Sequence, residues 1–291
     1  MKKTTSTFSI VIPCLNEEKY LPLLLEDLSN QTNRDFEVIV IDGNSDDKTV
    51  EKANSFSDKF PLIVKVVKKR NVSLQRNTGG ALAKNEWIIF MDADNRLPAA
   101  FLDGIRYRLA EHPETDLFST WTATSSSGKN DKTWANFFNL TLEIQTRLNK
   151  PIGVGALIGI NKKHFSQYQF PEEEKFLEDG YLVQSAANDG LSYKLFQYPQ
   201  FVFSLRRVKK FGSVKLLFSV IQHHVKFWTG GSLSDDSVSK DYPMLGGAYY
   251  DQLPSPERSM LKRSQEFIRT ASAEQRIEVR KIVKRFFDSE E

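Results

Sequence analysis

Asp92-Ala93-Asp94 stands where a run of apolar residues stops: Trp87, Ile88, Ile89, Phe90 and Met91 read as a buried strand, and two carboxylates follow it. Such a pair suits a hard divalent cation, which takes one or two protein carboxylates and completes its shell with substrate phosphates. If the strand continues, alternation places Asp92 and Asp94 on one face, one carboxylate for a metal and one for a neighbouring hydroxyl. The plain alternative is an acidic turn or helix cap ahead of Pro98. Asp42 has the equivalent place after another apolar run, in Ile41-Asp42-Gly43-Asn44-Ser45-Asp46. It could hold a nucleoside, or it could close a strand-to-helix turn in which Asp46 caps the helix. Glu178-Asp179, within Phe176-Leu177-Glu178-Asp179-Gly180-Tyr181-Leu182, offers a further acidic pair. An acidic pair there can sit in the favourable field of a helix N-terminus.

Residues so far apart in the chain need a scaffold that gathers them. Phe8 to Ile12 is a β-rich run ending at Pro13, and Leu21, Leu24, Leu25 and Leu28 recur at helical spacing after Asn16, a candidate cap. Phe36 to Ile41 reads as a buried strand, Asp46 to Phe56 as a helix, Leu62 to Val67 as a strand, Ser73 to Lys84 as a helix and Trp87 to Met91 as a strand. Strands alternating with helices predict a parallel α/β sheet, and ligands of such sheets gather outside the carboxyl ends of the strands. The polar residues fall there: Asn16 and Glu17, Asp42 to Asp47, Arg70 and Asn71, and Asp92 to Asn95 each follow a strand. Beyond Pro98 the spacing predicts a helix from Ala99 to Leu109, a strand near Leu117 to Thr122 and a helix from Trp134 to Leu148. Gly153 to Ile160 reads as a glycine-rich strand that a ligand or backbone can approach closely. The acidic segment Pro171 to Asp179 opens another helix, and Tyr193 to Ser204 reads as the last strand or pair of strands.

Four strings in order carry a resemblance: Ile10-Val11-Ile12-Pro13-Cys14-Leu15-Asn16-Glu17, Ile41-Asp42-Gly43-Asn44-Ser45-Asp46-Asp47-Lys48-Thr49, Gln75-Arg76-Asn77-Thr78-Gly79 and Phe90-Met91-Asp92-Ala93-Asp94. Together they resemble the ordered signatures of glycosyltransferase family 2. The resemblance implies a GT-A type α/β fold, a mixed and mainly parallel sheet flanked by helices, here with a helical C-terminal extension. It implies that residues 1–97 form a nucleotide-sugar-binding half, 98–210 an acceptor-side half with the catalytic base, and 211–291 a basic helical extension. Pro13, Asn16 and Glu17 would line the nucleotide pocket and Asp42 would contact the base. Asp92 and Asp94 would serve ribose and the divalent cation, Mn2+ or Mg2+. Arg70, Arg76 and Asn77 would lie near the diphosphate or brace its loop, although Arg76 also reads as an exposed helix residue. Asp179 is the favoured base, with Glu178 its close competitor. Ser204-Leu205-Arg206-Arg207 resembles the family's downstream arginine element, which would place Arg206 and Arg207 over the diphosphate.

The activity implied is inverting transfer of one sugar from a UDP- or GDP-sugar to a hydroxyl acceptor, a sugar or a lipid-linked or cell-surface glycan precursor. The Gln-x-x-Arg-Trp string of processive polymerases is absent from the sequence, which favours single transfer. A nucleotide-sugar-binding protein without turnover is the rival reading. A sugar-phosphate nucleotidyltransferase is a weaker one, because no Gly-rich, Arg-containing loop follows the first strand.

Composition sets the outer bounds. With 40% hydrophobic and 26% charged residues the chain is too apolar to stay disordered, and a net charge of +3 gives no global basic field for nucleic acid. The single cysteine, Cys14, excludes an intrachain disulfide, fits a reducing compartment and reads as inert core. No secretory h-region is recognisable and the apolar runs fall short of the ~20 residues a spanning helix needs, so the expected location is cytoplasmic. From Arg206 to Lys226 six basic residues occur with no acidic one. Within this strip Val214, Leu217, Phe218, Ile221, Val225 and Trp228 recur at helical spacing. That amphipathic stretch, 211–228, either docks on the catalytic domain or lies peripherally on the inner face of a membrane. His223 and His224 point apart on a helix and do not make a ligand pair.

Overall fold

A computed structural model describes residues 6–124, 129–147, 150–153, 155–174, 178–204 and 206. Arg207, the stretch 211–228 with its histidines and the charged segment up to 291 lie outside the described residues.

The first half alternates as the sequence predicts. β1 (Phe8–Cys14), α1 (Leu21–Ser29), β2 (Phe36–Asp42), α2 (Thr49–Asn54), β3 (Leu62–Val66), α3 (Val72–Leu82) and β4 (Trp87–Met91) follow in order. Then come α4 (Phe101–Glu111), β5 (Leu117–Ala123), α5 (Lys129–Arg147), β6 (Leu157–Asn161), α6 (Lys162–Phe165), α7 (Glu178–Asn188) and β7 (Tyr193–Val202). β1, β2 and β4 are buried along their whole length, because helices cover both faces of the sheet. Along β1, Phe8, Ile10 and Ile12 face one apolar core with the leucines of α1, while Val11 faces a second core that includes Phe90, Phe165, Leu182 and Val183. α3 lies so close to β1 that a Cβ on Gly79 would come within 2.3 Å of Cγ1 of Val11.

The sheet has seven strands in the order β3-β2-β1-β4-β6-β5-β7. β1 pairs parallel with β2 and β4, and β6 runs antiparallel to both β4 and β5. The chain therefore winds outward from β1 to β3 and then crosses back to β4, so a crevice opens between the carboxyl ends of β1 and β4. β6 sews the later strands onto the same sheet, which makes the architecture mixed and mainly parallel. No helix among the described residues is long and apolar enough to cross a membrane.

Several local expectations give way to tertiary contacts. Asn16 does not cap α1; it takes a positive φ of 54° and its Oδ1 accepts from the Asp46 N–H at 2.8 Å, while α1 begins after Tyr20. Asp46 does not cap α2, which starts at Thr49, and Asp47 accepts from the Thr49 N–H at 2.9 Å instead. β4 ends at Met91, so Asp92 to Asp94 form a turn rather than a continued strand, closed by the Asn95 N–H donating to the Asp92 carbonyl at 3.2 Å. β6 begins at Leu157 rather than Gly153.

Candidate active site

Three clusters of predicted residues lie along the rim at the strand ends. The first closes the β1 and β2 loops. Asp42, 1% exposed, accepts from the Ser45 N–H at 2.8 Å and from the Ser45 hydroxyl. That hydroxyl also accepts from the Asn16 N–H at 2.8 Å, so the turn after β2 and the turn after β1 are held as one piece. Arg70 donates to the Asn44 carbonyl at 3.0 Å and pairs with Asp46 at 2.6 Å. Pro13 lies within β1, opposite Ile41 of β2. From beneath, Gln75 of α3 donates to the carbonyls of Cys14 and Ile41 at 2.8 and 2.7 Å. Burial, and then the neighbouring Asp42, push the Cys14 thiol well up, which leaves it unreactive.

The second cluster is built on Arg76, 3% exposed. The plain reading of an exposed helix residue is therefore wrong: α3 buries this side chain against the ring of Phe170, 5.1 Å from the guanidinium. Nη1 donates to Glu178 at 2.6 Å, and Nη2 donates to Asp92 and to the Gly155 carbonyl, each at 3.1 Å. Burial opposes the charge, but Glu178, Asp92 and Asp179 outweigh it and hold the guanidinium protonated. Asp179, beside Glu178 in the first turn of α7, accepts from the Gly155 N–H and from the Gly180 N–H at 2.8 Å. Burial, with Glu178 beside it, raises its carboxyl to about 7, against the pull of Arg76 and of the Gly180 and Gly155 amides. A group poised there can take a proton near neutrality, whereas Glu178 is already committed to Arg76.

The third cluster centres on Arg206. Its Nη2 lies 2.7 Å from Asp94 Oδ2 and 3.1 and 3.2 Å from the two oxygens of Glu17, and its Nε donates to the same Asp94 oxygen at 3.1 Å. The guanidinium stacks on the Tyr20 ring at 3.8 Å. Burial works against its charge, yet Asp94 and Glu17 raise the Arg206 pKa. Its Nη1 is buried with no hydrogen-bond partner among the described residues.

Asp92 and Asp94 therefore leave their turn toward different arginines rather than sharing one face. Arg96, from the same turn, makes a two-pronged contact with Asp27 of α1 at 2.6 and 2.8 Å, and Asn95 donates to the Ala156 carbonyl at 2.5 Å. Asn77 is engaged by backbone. Its amide clamps Phe170, donating to the carbonyl at 2.8 Å and accepting from the N–H at 2.9 Å, so it braces the segment ahead of α7. Among the described residues no group of three or more His, Cys, Asp or Glu side chains could hold a metal by itself. The donor set at the rim is hard oxygen, in the one-or-two-carboxylate pattern that Mg2+ and Mn2+ complete with substrate oxygens.

Sequence reading missed Gly155, Gln75, Ser45 and Tyr20 as members of the site. Gly155 had a signal in the glycine-rich stretch from Gly153, and Ser45 and Gln75 lie within the strings that carry the resemblance; Tyr20 had none.

The Glycosyl transferase family 2 profile matches residues 9–169. A PGL/p-HBAD biosynthesis glycosyltransferase of Mycobacterium bovis is 36% identical over 113 residues, which are 38% of this chain and 44% of that protein. The cholesterol galactosyltransferase of Borreliella burgdorferi is 30% identical over 111 residues, 38% of this chain and 30% of that protein. The matched part is thus less than half the length of either relative. Among solved structures, S. aureus TarS in complex with UDP-GlcNAc superposes with a TM-score of 0.57 at 20% identity, covering 67% of this chain and 57% of the other. The mannosyltransferase PcManGT of Pyrobaculum calidifontis, in complex with GDP-Man and Mn2+, gives 0.58 at 20% identity, covering 70% and 58%. At these identities the likeness is one of fold, the GT-A type.

Proposed function

The chain belongs to glycosyltransferase family 2, and from that premise we propose that it transfers one sugar from a nucleotide diphosphate sugar to a hydroxyl acceptor with inversion. The observation that carries this reading is the meeting of Asp92, from the end of β4, with Glu178 from the start of α7 on the buried guanidinium of Arg76, beside Asp179. That contact between residues of opposite halves of the chain supports reading the donor side and the base side as one site. The donors in the two structural neighbours, UDP-GlcNAc and GDP-Man, support a UDP- or GDP-sugar.

In this reading residues 1–97 take the donor and 98–210 the acceptor. The joined turns of Asn16 and Asp42, with Pro13 and Arg70 beside them, form the nucleoside pocket. Asp92 lies toward the ribose. A divalent cation, when bound at Asp94 with support from Asp92, neutralises charge that develops on the leaving diphosphate. Arg206, with an unspent buried donor, faces the same diphosphate, and Arg207 would add a second cation. Asp179 takes the acceptor hydroxyl's proton as its oxygen attacks the anomeric carbon. The bond from that carbon to the diphosphate oxygen breaks, and its electron pair leaves with the nucleoside diphosphate. The direct displacement needs no covalent nucleophile. The basic amphipathic stretch 211–228 suits an acceptor presented at a membrane surface.

A thermal-shift panel of UDP- and GDP-sugars with and without Mn2+ tests the donor half of the proposal, because a ligand of the native state raises its melting temperature. A donor that stabilises the protein and is then consumed with a hydroxyl acceptor confirms it; no stabilisation by any donor removes it.

A further inference from the structure

We infer that Arg76 is a positioning residue, which aims the carboxylate of Asp179 through Gly155 and ties that aim to the donor-side turn through Asp92. The inference rests on the reading of Asp179 as the base. A side chain only 3% exposed is poorly placed to meet a diphosphate, and both terminal nitrogens of its planar fork hold groups from three segments: Glu178 of α7, Asp92 after β4 and the carbonyl of Gly155, while its buried Nε has no hydrogen-bond partner among the described residues.

Gly155 links the arginine to the aspartate. Its carbonyl accepts from Arg76 Nη2 and its N–H donates to Asp179 Oδ2, so the arginine and the aspartate hold the same residue. A Cβ on it would lie 2.6 Å from Arg76 Nη2 and 3.0 Å from Asp179 Oδ2, so a side chain there would displace the ends of both groups from their present positions. The other carboxylate oxygen is held by the Gly180 N–H of its own helix. Gly155 is thus the contact from outside α7 that fixes which way Oδ2 faces. A shift of the Asp92 turn on donor binding would be felt by Arg76, then by Gly155, then by Asp179.

Among the described residues the charged and titratable groups facing Asp179 are Glu178, Arg76 and the Tyr193 phenol. Arg76 is the cation among them, so loss of its charge exposes Asp179 to an unpaired Glu178 and favours the protonated acid. Lysine keeps the charge but cannot fork to three groups.

The test compares Arg76→Lys, Arg76→Gln and Gly155→Ala with the wild-type full chain. Arg76→Lys should lower kcat by ~10–100-fold with donor KM little changed, and leave the acid limb of the pH profile near its wild-type position. Arg76→Gln should lower kcat and move that limb to higher pH. Gly155→Ala should reproduce the kcat loss, and it carries the test if Arg76→Gln does not fold. Wild-type kcat in Arg76→Lys or Gly155→Ala, or an unmoved limb in folded Arg76→Gln, overturns the inference. Carboxyl carbon NMR of Asp179 separates the two levels. If Asp179→Asn keeps full activity while the Asp179 titration still moves in Arg76→Gln, the base assignment has failed and the positioning stands. If the titration does not move, the positioning has failed whatever the activity.

Discussion

Arg206 and Asp94 lie 112 residues apart in the chain and form a 2.7 Å ion pair, with the same guanidinium nitrogen reaching Glu17. Both partners are mostly buried, 15% and 19% exposed, so the pair is better shielded from solvent than an ordinary surface contact. It joins the turn after β4 to the chain that leaves β7. Arg206 uses Oδ2 of Asp94 through both Nη2 and Nε, and under the proposed function a cation would share that carboxylate.

Asp94→Asn should abolish the Mn2+-dependent part of the donor-induced thermal shift, because a neutral amide is a poor ligand for a hard cation. The ligand-free melting temperature should fall by only a few degrees, since Arg206 keeps Glu17 and Tyr20. Differential scanning fluorimetry with and without Mn2+ measures both. An unchanged metal response would move the cation elsewhere.

The pH dependence follows from Asp179. Its carboxyl must be ionised to act as a base, and burial beside Glu178 raises it to about 7. The kcat/KM of the free enzyme should therefore rise with pH through about 7 and level off above it. The stability sign is opposite. A carboxyl whose folded pKa exceeds its unfolded value contributes stability below the unfolded value, and that contribution is lost as pH rises through about 7. Urea unfolding at pH 5 and pH 8 should show this fall in the wild type and a smaller one in Asp179→Asn.

Gly79→Ala should destabilise the fold. Alanine would gain ~1 kcal/mol of helix propensity in α3, but its Cβ would meet Cγ1 of Val11 at 2.3 Å. Val11 is β-branched, fully buried and cannot swing aside, so overpacking of ~1–3 kcal/mol wins. Chemical denaturation reads the difference, and a variant more stable than the wild type would refute the packing.

The strand–helix alternation and the placing of polar residues at strand ends were legible because burial on both sides of β1, β2 and β4 leaves unbroken apolar runs. The antiparallel insertion of β6 was not, since Leu157 to Asn161 reads the same in either direction. Asn16 and Asp46 misled as caps because each has the side chain of a cap, while contacts between loops claim those side chains: the Asp46 N–H on Asn16, and Arg70 on the Asp46 carboxylate. Asp92 and Asp94 could be named from residue type and position, and Glu178, Asp179 and Arg206 from the resemblance of their strings to the family's. That Asp92 and Asp94 part toward Arg76 and Arg206 could not, for it depends on where β4 stops. Gly155 entered the site through its lack of a side chain, which a sequence displays only as a glycine-rich stretch.

The most direct measurement is sugar transfer by Asp179→Asn beside the wild type, with whichever donor stabilises both proteins and with the anomeric configuration of the product read by proton NMR. The account predicts that the variant retains the donor thermal shift, loses ~10²–10⁴-fold in kcat, and that the wild-type product is inverted. Transfer by the variant at the wild-type rate, or a product of retained configuration, would contradict it.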